Sequence, residues 1–206
     1  MKRIVLAMLA ALPLLGSCEP SKKQESMKPA KVPEIPEGAE VATLGGGCYW
    51  CLEAAYQQLD GVISATSGFM GGTVKDPSYE EVCGGETGHA EVVHLVFDPQ
   101  KITYERVLAW FWDLHDPTTL NRQGNDVGTQ YRSVIFYHND EQKKTAEASK
   151  KAIAEHHQDP VVTEIVKADV LYPASENHQD YYFQNKSQGY CRFVIEPKLK
   201  KLKLDH

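Results

Sequence analysis

Val41-Ala42-Thr43-Leu44-Gly45-Gly46-Gly47-Cys48-Tyr49-Trp50-Cys51-Leu52-Glu53 spells a strand, a glycine turn and the start of a helix. The apolar run Val41–Leu44 is the strand. Beyond Cys48, Leu52, Ala55, Tyr56 and Leu59 fall at i, i+3, i+4 and i+7, the period of an amphipathic helix. Cys48 therefore sits in the first turn, where free backbone N–H groups and the positive end of the helix dipole favour an anion. A cysteine in that position is expected to have a lowered pKa and a reactive thiolate. The glycines leave room for a substrate to approach the sulfur, and Tyr49 and Trp50 add aromatic faces beside it. The plain alternative is a packed cysteine that happens to start a helix.

The 206 residues suit one domain with appendages, and 42% hydrophobic with 24% charged residues suffices for a full core. A formal charge of −6 argues against a nucleic-acid partner, which calls for a basic field. Met1-Lys2-Arg3 is a basic start, Ile4–Leu15 an apolar stretch too short to span a bilayer, and Leu15-Gly16-Ser17-Cys18 ends it with small residues before a cysteine. This resembles a bacterial lipoprotein signal, which implies cleavage after residue 17 and acylation of Cys18. Membrane contact would then come through the acyl chains, on a protein facing the periplasm or exterior of the cell envelope. Residues 18–40, with Pro20, Pro29, Pro33 and Pro36 among polar residues and no apolar period, read as a flexible tether. Residues 41–206 are the folded domain.

Within it, strands are expected over Val62–Phe69 (Ile63, Ala65 and Phe69 on one side), Ala90–Phe97, Ser133–His138 and Val161–Lys167. Helices are expected from Thr103 to about His115, from an Asp140 cap to about His157, and over Asn177–Asn185. Thr73–Gly88 and Pro117–Arg132 read as long loops, and loops of that length in a compact domain suggest function. The order β-α-β-β-α-β-α-β is an α+β pattern: a two-layer sandwich on a mixed sheet, with a split βαβ (ferredoxin-like) core, helices on one face and a loop-rich C-terminal tail. Lys198–Lys203 reads as a solvated end.

Those loops carry Tyr79, Glu91 at a strand start, Asp126 and Tyr131. If strand starts converge on the glycine turn, one thiolate faces carboxyls and phenols, and a carboxyl beside them would keep its proton and serve as a general acid. Loop capping is the alternative for Glu91 and Asp126. The cysteines Cys48, Cys51, Cys83 and Cys191 admit structural disulfides, or redox chemistry in which Cys48 attacks and a second cysteine closes on it. Structural zinc fits the long gaps poorly, and covalent haem is disfavoured because Leu52 stands where a histidine is needed.

Gly47-Cys48-Tyr49-Trp50 resembles the G-C-F-W signature of the A-type peptide-methionine sulfoxide reductases. Thr87-Gly88-His89-Ala90-Glu91, Gln123-Gly124-Asn125-Asp126, Gly128-Thr129-Gln130-Tyr131-Arg132 and Asn177-His178-Gln179-Asp180-Tyr181 resemble further family blocks in the same order. Tyr49 replaces the usual Phe, and Cys51 stands where many members have Gly. The resemblance implies that Cys48 attacks the sulfur of methionine-(S)-sulfoxide and that Glu91 protonates the oxygen. It further implies that Tyr79 and Tyr131 donate to that oxygen, Asp126 supports the site, and Tyr49 and Trp50 hold the methyl group. It implies no bound cofactor or metal, oxidised methionine-containing proteins as substrates, and a thioredoxin-like electron donor. Two cysteines could resolve the sulfenic acid: Cys191, in a Gly-Tyr-Cys resembling members with a mobile tail, and Cys51, resembling members that close the short C-x-x-C loop. Cys83 is left structural. The competing functions are a thioredoxin-like thiol–disulfide oxidoreductase using Cys48 and Cys51, and a non-enzymatic lipoprotein with structural disulfides.

Overall fold

Strand β1 (Glu40–Gly45) lies at the centre of a six-stranded sheet in a computed structural model that describes residues 28–204. The expected signal and Cys18 lie outside the described residues. Helix α1 (Tyr49–Tyr56) leads to β2 (Val62–Met70), α2 (Tyr79–Cys83), β3 (Ala90–Phe97) and α3 (Tyr104–Leu114). A two-strand ribbon of β4 (Arg122–Gln123) and β5 (Asp126–Val127) follows, then a 3-10 turn (Thr129–Tyr131), β6 (Val134–Tyr137) and α4 (Asp140–Ala154). The chain closes with β7 (Glu164–Lys167), β8 (Tyr172–Pro173), a 3-10 turn (Glu176–His178), α5 (Tyr181–Gln184), a π-helical turn (Cys191–Ile195) and α6 (Glu196–Lys201). The strand order β7-β6-β1-β3-β2-β8 contains the split βαβ core: β3 lies antiparallel between β1 and β2, and β6 pairs antiparallel with β1. Parallel β7 makes the sheet mixed.

Alternation along the strands divides the faces. Leu44, Val93, Leu95 and Phe97 pack under α1 and α3 with Leu52, Tyr56, Leu108 and Phe111. The other face holds a small cluster of Met70, Ala90, Val92, Val134 and Phe136. Thr43 joins it to a polar strip, its hydroxyl 2.8 Å from His94 Nδ1 and 2.9 Å from His138 Nε2.

Several local expectations change for physical reasons. A bulge between Val62 and Ser64 takes Ile63 out of register, so Ile63 faces solvent while Val62 and Ala65 pack inward. The stretch Thr73–Gly88 is not all loop: Ser78 and Glu81 form a reciprocal capping box that starts α2. Asn139, not Asp140, caps α4 by accepting the Gln142 N–H. The helix expected over Asn177–Asn185 is broken at Asp180, whose φ of 51° is left-handed. The tail is helical rather than loop-rich and packs Cys191, Ile195, Leu199 and Leu204 into the core, so Lys198–Lys203 belongs to a docked helical end. Ahead of β1, Lys28–Ala30 pairs with the edge after β8: Ala30 N–H donates to Ala174 O and Glu176 N–H to Lys28 O.

The glycines at the β1–α1 turn are filled by the protein's own atoms rather than left open for substrate. A Cβ on Gly45 would lie 2.8 Å from Glu91 O and 2.9 Å from Val134 Cγ1, and one on Gly46 would lie 3.0 Å from His115 and Phe111 ring atoms. Gly47 has φ +91° and sits under Gln123. Gly45→Ala is therefore expected to destabilise the fold by about 1–3 kcal/mol through overpacking against backbone that cannot yield. Chemical denaturation reads this directly, and an unchanged midpoint would show that β1 and β3 tolerate a wider spacing.

Candidate active site

Cys48 is the N-cap of α1, with extended backbone (φ −60°, ψ 125°) and no side-chain capping bond. The N–H of the next residue, Tyr49, donates to Glu91 Oε2 at 3.0 Å. Glu91 stands at the start of β3 opposite Phe69 and is 1% exposed. Burial pushes its carboxyl up to about 8, against the pull of the Tyr49 N–H. With Oε2 accepting from Tyr49, Oε1 is the oxygen left to carry the proton. A neutral acid thus sits at the helix start that presents the sulfur, as the sequence suggests.

The expectation of a depressed Cys48 pKa is overturned. Burial, its hydrogen bond to Cys51 and the nearby Glu91 push the Cys48 thiol well above its ordinary value. The Tyr49 N–H at the helix start is taken by the Glu91 carboxyl. Cys51 carries the depressed pKa, about 7, because it receives the Cys48 hydrogen bond and feels Lys198 on α6.

Two loops bring the phenols in. His89 Nδ1 accepts from Gly72 N–H at 3.0 Å, which leaves Nε2–H to donate to Val74 O at 2.7 Å and closes the base of the first loop. Thr129 Oγ1 donates to Gly85 O and Gln130 Nε2 to Cys83 O, locking the α2 loop to the 3-10 turn. Arg132 fastens the same turn by donating to Thr129 O and Gly88 O. Tyr79 and Tyr131 both feel Glu91, and burial raises both hydroxyls, so they stay protonated donors.

Tyr49 is fully buried with its hydroxyl 2.7 Å from His178 Nδ1. Trp50 is half-buried among aromatic rings: Tyr181 stacks on it at 3.6 Å and 7°, and His178 lies at 5.4 Å. Trp50 Nε1 is buried without a partner. Tyr79 reaches the same His178 ring at 4.4 Å. Tyr190 edges toward Trp50, donates to Asp126 Oδ2 at 2.7 Å and lies 4.0 Å from Cys51 Sγ. Asp126 therefore acts on the Cys51 side of the site. Cys191 is fully buried in the π-helical turn against α1, within electrostatic range of Cys51. Cys83 lies on the Tyr79 side, where Tyr79 hydrogen-bonds its sulfur. All the described cysteines are free thiols.

Sequence reasoning placed Cys48, Glu91, Tyr79, Tyr131 and Asp126 around one helix start, and the structure gathers them there. It did not single out His178, Tyr181 and Tyr190, which build the wall and the bridge to Asp126. The available signal was the block Asn177–Tyr181 and the Gly-Tyr-Cys ending at Cys191, to which the sequence reading gave no wall-building role because a one-dimensional pattern cannot aim the rings. Among the described residues no group of three His, Cys, Asp or Glu side chains is arranged to hold a metal.

The family model described as peptide methionine sulfoxide reductase matches residues 40–206. A relative from Leptospira borgpetersenii, named peptide methionine sulfoxide reductase MsrA, is 54% identical over 162 residues, covering 79% of this chain and 92% of that protein. Reduced Mxr1 from Saccharomyces cerevisiae superposes with TM-score 0.73 at 32% identity, covering 77% of this chain and 92% of that one. Methionine sulfoxide reductase A of Corynebacterium diphtheriae gives 0.69 at 35% identity, covering 77% and 80%. The chain belongs to the peptide methionine sulfoxide reductase family.

Proposed function

We propose that this protein reduces methionine-(S)-sulfoxide, free or within proteins, to methionine. The observation that carries the proposal is a buried Glu91 carboxyl, protonated to about pH 8, hydrogen-bonded to the start of the helix that presents Cys48. Sulfoxide oxygen leaves poorly until protonated, so a neutral acid beside a sulfur nucleophile is what the reaction needs. The substrate methyl rests on Trp50. Its oxygen faces the hydroxyls of Tyr79 and Tyr131 and takes the Glu91 proton, while the carboxylate left behind keeps the Tyr49 N–H. The Cys48 proton passes to the more acidic Cys51, and the freed thiolate attacks the sulfoxide sulfur.

Methionine departs with its sulfur reduced, and the oxygen remains on Cys48 as a sulfenic acid. A second thiol displaces that oxygen as water and forms a disulfide. Cys51 stands one helical turn from Cys48, its N–H donating to Cys48 O at 3.1 Å, so its thiol closes the first bond. Cys191, packed beside the same helix, then exchanges onto Cys51 and releases Cys48. A thioredoxin-like dithiol protein supplies the two electrons that return both cysteines to thiols. The family match and the relatives named above favour sulfoxide reduction over a thiol–disulfide oxidoreductase using Cys48 and Cys51 alone.

Cys48→Ser is expected to abolish methionine formation. Glu91→Gln should slow single turnover about 10²–10⁴-fold, the usual worth of a positioned acid. In wild type, kcat/KM should rise as pH climbs through about 7, where the cysteine pair loses a proton, and fall through about 8, where Glu91 loses its own. An alkaline limb that survives Glu91→Gln would remove Glu91 as the acid. Mass mapping after one turnover should find a Cys48–Cys51 bond first, with Cys191→Ser still yielding one methionine per enzyme. A Cys48–Cys191 bond appearing first would reverse the order.

Envelope anchoring is proposed on the residues before the domain: the basic start, the short apolar stretch, Cys18 and the proline-rich segment. It would make the protein a repair enzyme for oxidised envelope proteins. Cell fractionation should place wild type with the membranes and Cys18→Ala in the soluble fraction. A soluble wild type would end the anchoring proposal and leave the chemistry untouched.

A further inference from the structure

Glu53 is 1% exposed, and nothing in the chemistry above uses it. It lies on α1 one turn beyond Tyr49 and Trp50, at the spacing that puts residues on one face of a helix. Its Oε2 accepts the Tyr181 N–H at 3.4 Å, and the Asp180 N–H points at the same carboxyl. Oε1 has no partner. Ser67 Oγ faces the carboxyl without closing a bond of ordinary geometry. Burial, with the Asp180 charge adding to it, pushes the carboxyl up to about 7. A buried acid without a cation is costly, so its place in the core calls for a reason.

The reason lies in what it grips. The turn from His178 to Tyr181 carries both rings that cover Trp50, and side chains fasten it at a handful of points. Gln179 brackets Ser67, accepting its N–H at 2.9 Å and donating to Ser67 O and Ala174 O. Gln57 donates to Asp180. Glu53 takes the backbone at the point where Asp180 adopts its left-handed φ and Tyr181 turns onto Trp50. A left-handed non-glycine residue persists only where its surroundings fix it.

We propose that Glu53 is a positioning residue for sulfoxide reduction: its carboxyl oxygen grips the Asp180–Tyr181 backbone and thereby fixes the Tyr181–Trp50 stack that walls the substrate site. The inference rests on the function proposed above. It requires an acceptor at the tip of a Glu-length side chain and no net charge there. Gln preserves that acceptor, and its NH2 meets the free Ser67 hydroxyl. Asp keeps the carboxyl but withdraws the acceptor by one methylene.

The test compares full-length wild type, Glu53→Gln and Glu53→Asp by steady-state reduction of a methionine-(S)-sulfoxide peptide with dithiothreitol and by amide hydrogen exchange. Glu53→Asp should raise KM about tenfold, the scale of one lost hydrogen bond, with kcat within about twofold. Exchange at Tyr181 should quicken while β3 stays protected. Glu53→Gln should match wild type in both readouts. A fall in kcat at unchanged KM in Glu53→Asp, or a Gln variant as impaired as Asp, would overturn the proposal. If Glu53→Asp does not fold, Glu53→Met, of similar volume and without an acceptor, carries the same expectations. Wild type that reduces neither epimer would sink the functional reading instead, and the exchange comparison would still judge the grip.

Discussion

The hydrogen bond from Tyr49 N–H to Glu91 Oε2 joins the first turn of α1 to the first residues of β3, and the rest of the site is arranged around it. It forms because Gly45 lets β1 lie tight against β3, so that the helix leaving β1 starts directly over the Glu91 carboxyl. The positive helix end is commonly credited to a cysteine in this position. Here it is aimed at the acid, so it stabilises the carboxylate that appears only when the proton has been given away. Catalysis gains from interactions that strengthen as charge develops, and this one is weakest in the resting state.

The same allocation explains the sulfur chemistry. A buried Cys48 without a helix N–H rests as a thiol, and the resting charge of the pair lies with Cys51, next to Lys198 and the Tyr190 hydroxyl. Cys48 becomes a thiolate only when Cys51 takes its proton. The price is that both partners in the first disulfide depend on α6 and the π-helical turn, which a view of the tail as free chain would have missed.

What was legible in the sequence was what local pattern encodes. The strand–glycine–helix stretch, the alternating strands and the split βαβ order all follow from periodicity and turn residues, and the structure reproduces them. Ile63 was misplaced because a bulge shifts the side-chain period without leaving a local mark. Helix α2 was missed although Ser78 and Glu81 spell its capping box, because five residues carry no periodic signal. The depressed Cys48 pKa failed for a different reason: the helix start was real, but the fold buries the sulfur and brings Glu91, 42 residues away in sequence, beside it. His178, Tyr181 and Tyr190 were visible as residues but not as a wall, since their roles depend on a break at Asp180 that no propensity announces.

The pairing of Lys28–Ala30 with Ala174–Glu176 has a mechanical meaning. Tension on the N-terminal segment would enter the domain beside Ser175, three residues before His178, through two backbone hydrogen bonds at an isolated bridge. Bonds loaded one after another peel at low force, whereas the antiparallel ladder of β1, β2 and β3 shares its load across many. The strap would therefore detach first, so that a pull on the N-terminal segment is relieved at the sheet edge before it reaches the turn over Trp50.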